Sequence, residues 1–188
     1  MEMLTNESRE GAQANARKNL ARAQRAIPAW LDKRDDKIGK TLRKLSDPLE
    51  RLRALLKLAS DLTDSISSFT PCKKGCSFCC RMPTIELSEL EAAEISRQTG
   101  VPISESPPRD HAWKPCPFLK DDSCTIYEHR PFFCRTHVVF SKTPTWCAPD
   151  KCNQFDFPLI RFPNLIEAYR ELNKGKVRDI RETFPRHT

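Results

Sequence analysis

The sequence predicts a mainly α chain with a helical N-terminal arm, a small irregular α+β cysteine-rich domain, and a short helical C-terminal segment. Three observations carry this reading. Apolar residues recur at three- and four-residue steps between positions 48 and 69. All nine cysteines of the 188-residue chain lie between positions 72 and 152. Finally, 38% hydrophobic against 30% charged residues is little apolar material for a large packed core, so thiol-bound metal would supply the missing folding free energy. The expected division is an arm over 1–70, a metal-binding domain over 71–160 and a helical segment over 161–188.

Residues 8–27 are rich in Ala, Arg, Gln and Asn, with a thin apolar stripe. They predict a helix that is exposed or needs a partner, ended by Pro28. A second helical stretch over 32–45 puts Ile38, Leu42 and Leu45 on one face. Asp47-Pro48-Leu49-Glu50 restarts the helix: Asp47 caps, Pro48 suits the first helical position, and Glu50 stands where a capping-box carboxylate belongs. The stripe that follows is Leu49, Leu52, Leu56, Ala59, Thr63 and Ile66, widened by Leu55, Leu58 and Leu62. Packing at home is the expectation for it, and a protein partner for the 48–69 helix is the alternative.

The chain then enters Cys72-Lys73-Lys74-Gly75-Cys76-Ser77-Phe78-Cys79-Cys80, spaced C-x3-C-x2-C-C. Four thiols on so short a loop form a preassembled clamp for a soft metal ion or cluster, and Gly75 gives the turn its freedom. Ile85-Glu86-Leu87 alternates like a short strand, and Ser88 with Glu91 forms a capping box opening a helix over 89–99, stopped by Gly100-Val101-Pro102. Residues 101–115 read as an extended loop. Cys116-Pro117-Phe118-Leu119 and Cys124-Thr125-Ile126-Tyr127 read as the arms of a hairpin around an Asp-rich turn. Glu128 to Arg135 predicts a helical turn with Pro131 first and Cys134 within it. Cys147 and Cys152 fall in a loop. Asn164 is read as the cap of a last helix, with Glu167 three residues on and a stop near Gly175. Val177, Ile180 and Phe184 suggest one further short helical piece.

The first residues lack an apolar signal-peptide core, and no apolar run nears the roughly 20 residues that cross a bilayer. The reading is a soluble, cytoplasmic protein with no membrane association, where thiols stay reduced and bind metal; the odd cysteine count also argues against a disulfide scaffold. The net charge of +7 sits on the flanks, while residues 71–160 are neutral. Nucleic acid is a weak partner candidate there, since Trp30 alone interleaves with the early basic residues. The sequence shows no nucleophile–base pair, no Gly-rich phosphate loop and no paired-carboxylate signature, and five glycines argue against a nucleotide-binding loop.

The expected metal ligands are Cys72, Cys76, Cys79, Cys80, Cys116, Cys124, Cys134, Cys147 and Cys152. Eight thiolates allow two four-thiolate centres. Neighbouring side chains diverge, so Cys79 and Cys80 serve two centres, or one of the pair supports the other's ligation. Zinc knuckles come as two C-x2-C pairs and only Cys76-x2-Cys79 fits, whereas three loop cysteines plus a remote Cys-Pro look more like four-iron ligation. The lean is toward an iron–sulfur cluster over zinc. Lys73, Lys74, Arg81, Arg130 and Arg135 lie beside the ligands in sequence and could offset their charge. His137, three residues after Cys134, has a spacing that permits ligation; His111 and His129 read as ordinary surface residues.

The ordered motifs C-x3-C-x2-C-C, Cys-Pro-Phe-Leu, Cys-Thr-Ile-Tyr and Arg-Pro-x-x-Cys-Arg resemble the cysteine-cluster proteins of the YkgJ type, associated with zinc or iron chelation. The resemblance implies that Cys72, Cys76, Cys79, Cys80, Cys116, Cys124 and Cys134 are cluster cysteines, completed by Cys147 or Cys152. It also implies that Arg130-Pro131 is the recurrent Arg-Pro pair and that Glu91 is a recurrent acidic helix residue. Flagellin lysine N-methylases are related. Three functions therefore stand: a metal-binding or redox module, an iron–sulfur-dependent protein N-methyltransferase, and a zinc-stabilised nucleic-acid or protein adaptor. The spacing C-x3-C-x2-C also occurs in radical S-adenosylmethionine enzymes, but the 108 residues after the motif are too few for their β/α barrel.

Overall fold

A computed structural model describes residues 7–104 and 114–184. His111 and most of the expected 101–115 loop lie outside the described residues. The arm begins with α1 (Arg9–Ala26), capped by the Ser8 hydroxyl, which accepts from the Gly11 amide. Its thin stripe finds a partner within the chain. Ala12, Ala16 and Ala23 are fully buried in a cluster with Ile66, Val138, Phe140 and Phe155, and the Asn19 amide donates to the Phe140 carbonyl at 2.9 Å. Small side chains let the helix backbone come close to these bulky ones.

The second predicted stretch is two helices, α2 (Ala29–Asp36) and α3 (Ile38–Arg43), parted at Lys37, whose amide donates to the Arg34 and Asp35 carbonyls. Then α4 (Pro48–Ser65) starts with Pro48 in the first turn and the Asp47 carboxylate accepting from the Leu49 amide at 3.0 Å. It is the central rod of the fold. Leu52, Leu55, Leu58 and Leu62 are at most 1% exposed, and α2, α3, α5 (Glu89–Thr99), α6 (Phe132–Thr136) and α7 (Pro163–Asn173) pack around it. Burying four leucines is worth about 1.5–3 kcal/mol each. Its apolar face is consumed at home, which removes the stripe that a protein partner for the 48–69 helix would need.

The strand at 85–87 forms as β1 (Glu86–Leu87), paired antiparallel with β4 (Arg178–Asp179) in the register Glu86↔Asp179. The capping box of α5 is complete, with Glu91 and Ser88 bonded reciprocally, and Gly100 ends the helix at φ 72°. The hairpin is tighter than its sequence suggests. β2 (Leu119–Lys120) and β3 (Ser123–Cys124) are joined by Asp121 and Asp122 alone, both left-handed at φ 47° and 56°. This is the primed-turn geometry that matches strand twist.

Three local expectations are corrected. Pro131 precedes α6 as its cap instead of opening it, because its ψ of 164° is extended. Asn164 does not cap α7: Phe162 holds that place and Pro163, needing no amide partner, takes the first turn. The Asn164 amide instead reaches back to Asp35 and Asp36 of α2, at 3.2 and 3.3 Å. In the last piece, α8 (Ile180–Thr183), Ile180 and Phe184 are buried but Val177 is 40% exposed.

Candidate metal centre

Each cysteine-bearing segment is fixed by a backbone device that its sequence dictates. In the 72–80 loop the Cys72 amide donates to the Thr70 hydroxyl at 3.0 Å and the Cys76 amide to the Lys73 carbonyl at 2.9 Å. Gly75 turns the loop at φ 92°, a conformation that L side chains rarely adopt. Cys79 and Cys80 follow in a 3-10 turn over Phe78–Arg81. The Cys116 amide then donates to the Cys80 carbonyl at 2.8 Å, joining loop to hairpin. Arg81 reinforces this junction by donating to Asp122 of the hairpin turn at 2.6 Å.

Helix α6, which carries Cys134, is placed by Glu91. One Glu91 oxygen accepts from the Phe132 amide at 2.6 Å; the other accepts from the Ser88 amide at 2.7 Å and the Tyr169 hydroxyl at 2.6 Å. A carboxylate 1% exposed thus caps two helices and holds a third. Burial, then the Glu91 charge, keeps the Tyr169 phenol well above its ordinary range, so it stays a donor.

These devices bring all nine cysteines to the wall of one cavity of about 140 Å³. Water needs about 10–15 Å³ of such space, so there is room for a multi-atom object. All nine are free thiols. Among the described residues no three His, Cys, Asp or Glu side chains converge on one point as a ready-made one-ion site. The thiols surround a volume instead.

Electrostatic coupling shows which thiols are neighbours. Cys147 is pushed up to about 12 by burial and by the thiols of Cys72, Cys76, Cys79 and Cys152. Burial also raises Cys134, with Cys79 and Cys124 the next contributors, and raises Cys116, next to Cys134 and Cys124. Cys80, Cys124 and Cys134 pack against the core that contains Cys116, while Cys72 packs against the α1 core. Cys79 belongs to both neighbourhoods: its hydrogen bond with Cys80, then burial, hold it far above the ordinary thiol range.

Burial makes these thiols hard to ionise, and several neighbours partly offset it. The amides of Phe78, Phe118 and Ile126, each two residues past a cysteine, bond toward the sulfurs of Cys76, Cys116 and Cys124 and lower their pKa against burial. The Val139 amide does the same for Cys72 at 3.5 Å. Arg130 lies 4.0 Å over the Tyr127 ring and favours the charged forms of Cys72, Cys79, Cys124 and Cys134. Its Nε is buried without a partner among the described residues. Nine soft donors, amides aimed at sulfur and a guanidinium beside them fit a thiolate-bound metal, since buried thiols this hard to ionise need a cation to give up their protons.

Of the other cations predicted beside the ligands, Lys73 acts on Cys76 and Lys74 on Cys124. Arg135 is a brace, donating to Ser60 at 2.7 Å and the Arg130 carbonyl at 2.8 Å. His137 is exposed where the cavity wall meets a neighbouring cleft, and His129 is exposed near α4. Arg181 adds a clamp that no sequence motif marks. Only 5% exposed, it pairs with Asp179 at 2.7 Å and donates to the carbonyls of Met82, Pro83 and Lys114, tying the C-terminal helix to the chain on either side of the thiol cavity. Its sequence setting, one charge among many, carries no signal of this.

No curated protein and no solved structure matches the chain. Residues 71–155 match the family model CxxCxxCC, described as "Putative zinc- or iron-chelating domain", although Cys72-x3-Cys76 is one residue longer than the family's first spacing. No described helix is long and apolar enough to cross a membrane. With its cysteines gathered on one cavity, the chain is similar over residues 71–155 to the domain that this family model describes, consistent with its resemblance to the YkgJ type.

Proposed function

We propose that this protein is a metal-binding module whose thiolates hold a polynuclear centre, an iron–sulfur cluster in preference to zinc, serving binding or electron transfer. The observation that carries the reading is the convergence of all nine thiols on one cavity of about 140 Å³. Cys80, Cys116, Cys124 and Cys134 would hold one side, and Cys72, Cys76 and Cys147 the other, with Cys79 between them. Cys147 is the better completing ligand, because the Cys152 sulfur points to the Pro149 carbonyl at 3.6 Å and to Asn153 at 3.8 Å. A cluster would supply one-electron chemistry. The chain's own part is to exclude water, aim amides at sulfur and balance charge with Arg130.

The zinc-stabilised adaptor is less well supported. Several basic flank residues are occupied: Arg34 pairs with Asp61, Arg43 with Glu171, Arg178 with Glu89 and Arg181 with Asp179. That leaves less free charge for nucleic acid than the net +7 suggests.

Anaerobic purification followed by metal and sulfide analysis tests the proposal. Brown protein containing iron and acid-labile sulfide is the expected result, and colourless protein holding stoichiometric zinc would overturn it.

A further inference from the structure

Behind the thiol cavity lies a second cleft of about 370 Å³, within the range of small-molecule sites. The two share a wall, because Cys79, Cys134 and His137 line both. The rest of the cleft is largely apolar, with Phe133, Ile160, Phe162 and Ile166 contributing, and Leu159 is 42% exposed there. Two charges interrupt this lining, Glu86 of β1 and Arg161 just before α7. Neither makes an ion pair or a side-chain hydrogen bond with any described residue, and they do not pair with each other.

Glu86 is half-buried and Arg161 exposed, and a carboxylate and a guanidinium without protein partners on one largely apolar cleft match a ligand that brings both opposite charges. A simple fatty acid would satisfy Arg161 while facing the Glu86 charge, and a simple amine would do the reverse. A zwitterion answers both, and its apolar body takes up the rest of the lining. We propose that this cleft binds a small zwitterion with an apolar body, a free α-amino acid with a branched or aromatic side chain. Arg161 takes its carboxylate, Glu86 its ammonium, and its side chain packs toward the wall shared with Cys79 and Cys134. Arg161 is suited to the first role by its planar fork, which grips a carboxylate through two parallel bonds. The occupant would lie against the backs of two cluster cysteines, so occupancy of the cleft is coupled to the environment of the metal centre. The cleft is built from the chain's own residues and does not depend on which metal the thiols hold.

Isothermal titration of L-phenylalanine and L-leucine into the full chain, with metal content measured on the same preparation, tests this. Saturable binding is expected. Arg161→Gln should weaken it at least tenfold, as should replacing the ligand by phenylalanine amide. Glu86→Gln and N-acetylphenylalanine should do likewise. Neither side chain supports the fold, so both variants should melt with the wild type. Failure of either amino acid to bind would overturn the proposal. So would binding that both variants leave unchanged, or equal affinity for phenylalanine and its two blocked forms. A preparation that lacks iron but binds the amino acid would sink the cluster reading alone.

Discussion

Replacing Glu91 by alanine should cost this protein both stability and metal. The carboxylate is 1% exposed and accepts three bonds of 2.6–2.7 Å, from the Ser88 and Phe132 amides and the Tyr169 hydroxyl. Glu91→Ala strands three buried donors, each costing about 1–3 kcal/mol, partly offset by the carboxylate no longer being desolvated. The net loss should be about 4 kcal/mol, a large share of the roughly 5–15 kcal/mol of a typical domain. Glu91→Gln keeps the shape and one acceptor oxygen but turns an amide donor toward other donors, for about 2 kcal/mol. Tyr169→Phe removes one bond, for about 1–2 kcal/mol. If the two side chains act as a pair, the double variant should be less destabilised than the sum of the singles by about 1 kcal/mol. Urea unfolding followed by circular dichroism measures this, with metal content taken on each variant because Phe132 opens the helix that holds Cys134. A Glu91→Ala protein with an unchanged midpoint and full metal would refute the reasoning.

Cys147→Ser should lose metal and Cys152→Ser should keep most of it, read by metal stoichiometry after purification; the reverse order would exchange their roles. Cys76→Ser or Cys116→Ser should yield insoluble or unfolded protein, and full thermal stability with full metal would remove those thiols from the ligand set. Arg181→Gln takes the guanidinium away from three carbonyls and from Asp179, which keeps only the Ile85 and residue-181 amides, and unfolding should show a loss of about 3–5 kcal/mol. Burial raises the Asp179 pKa, but the bonds from Arg181 and the Ile85 amide outweigh this and hold it below the ordinary carboxylate range. A carboxyl depressed in the folded state contributes stability above its unfolded pKa of about 3.9 and loses it as pH falls through the lower folded value. Wild-type stability should therefore decline on acidification below about pH 4 more steeply than that of Arg181→Gln, measured by urea midpoints across pH.

Local signals in the sequence are reliable where one residue decides the backbone. The Asp47-Pro48 restart, the Ser88–Glu91 box and the Gly100 stop each specify a conformation that few other residues allow, and each is present. The convergence of the thiols was legible too, since cysteines concentrated in less than half the chain have little else to do. What could not be read was reach. Asn164 has the chemistry of a cap, but Pro163 claims the first turn and frees its amide for α2. Arg181 becomes a buried clamp only because β4 pairs with β1 and carries it beneath the 82–83 and 114 carbonyls, a long-range event with no trace in local spacing. The proposed preference for Cys147 over Cys152 likewise rests on where a sulfur points, which spacing does not specify.

The thiols on the cavity come from a long stretch of chain, and this makes the proposed centre a removable crosslink. A metal bridging Cys72 and Cys147 closes a loop of about 75 residues, which in the unfolded chain would restrict entropy on the order of 4 kcal/mol. Unlike a disulfide, it can be withdrawn by a chelator or by oxidation of its ligands. The protein's lifetime against proteases would then track its metal supply, with no change in its sequence and none in its packing until the bridge is lost.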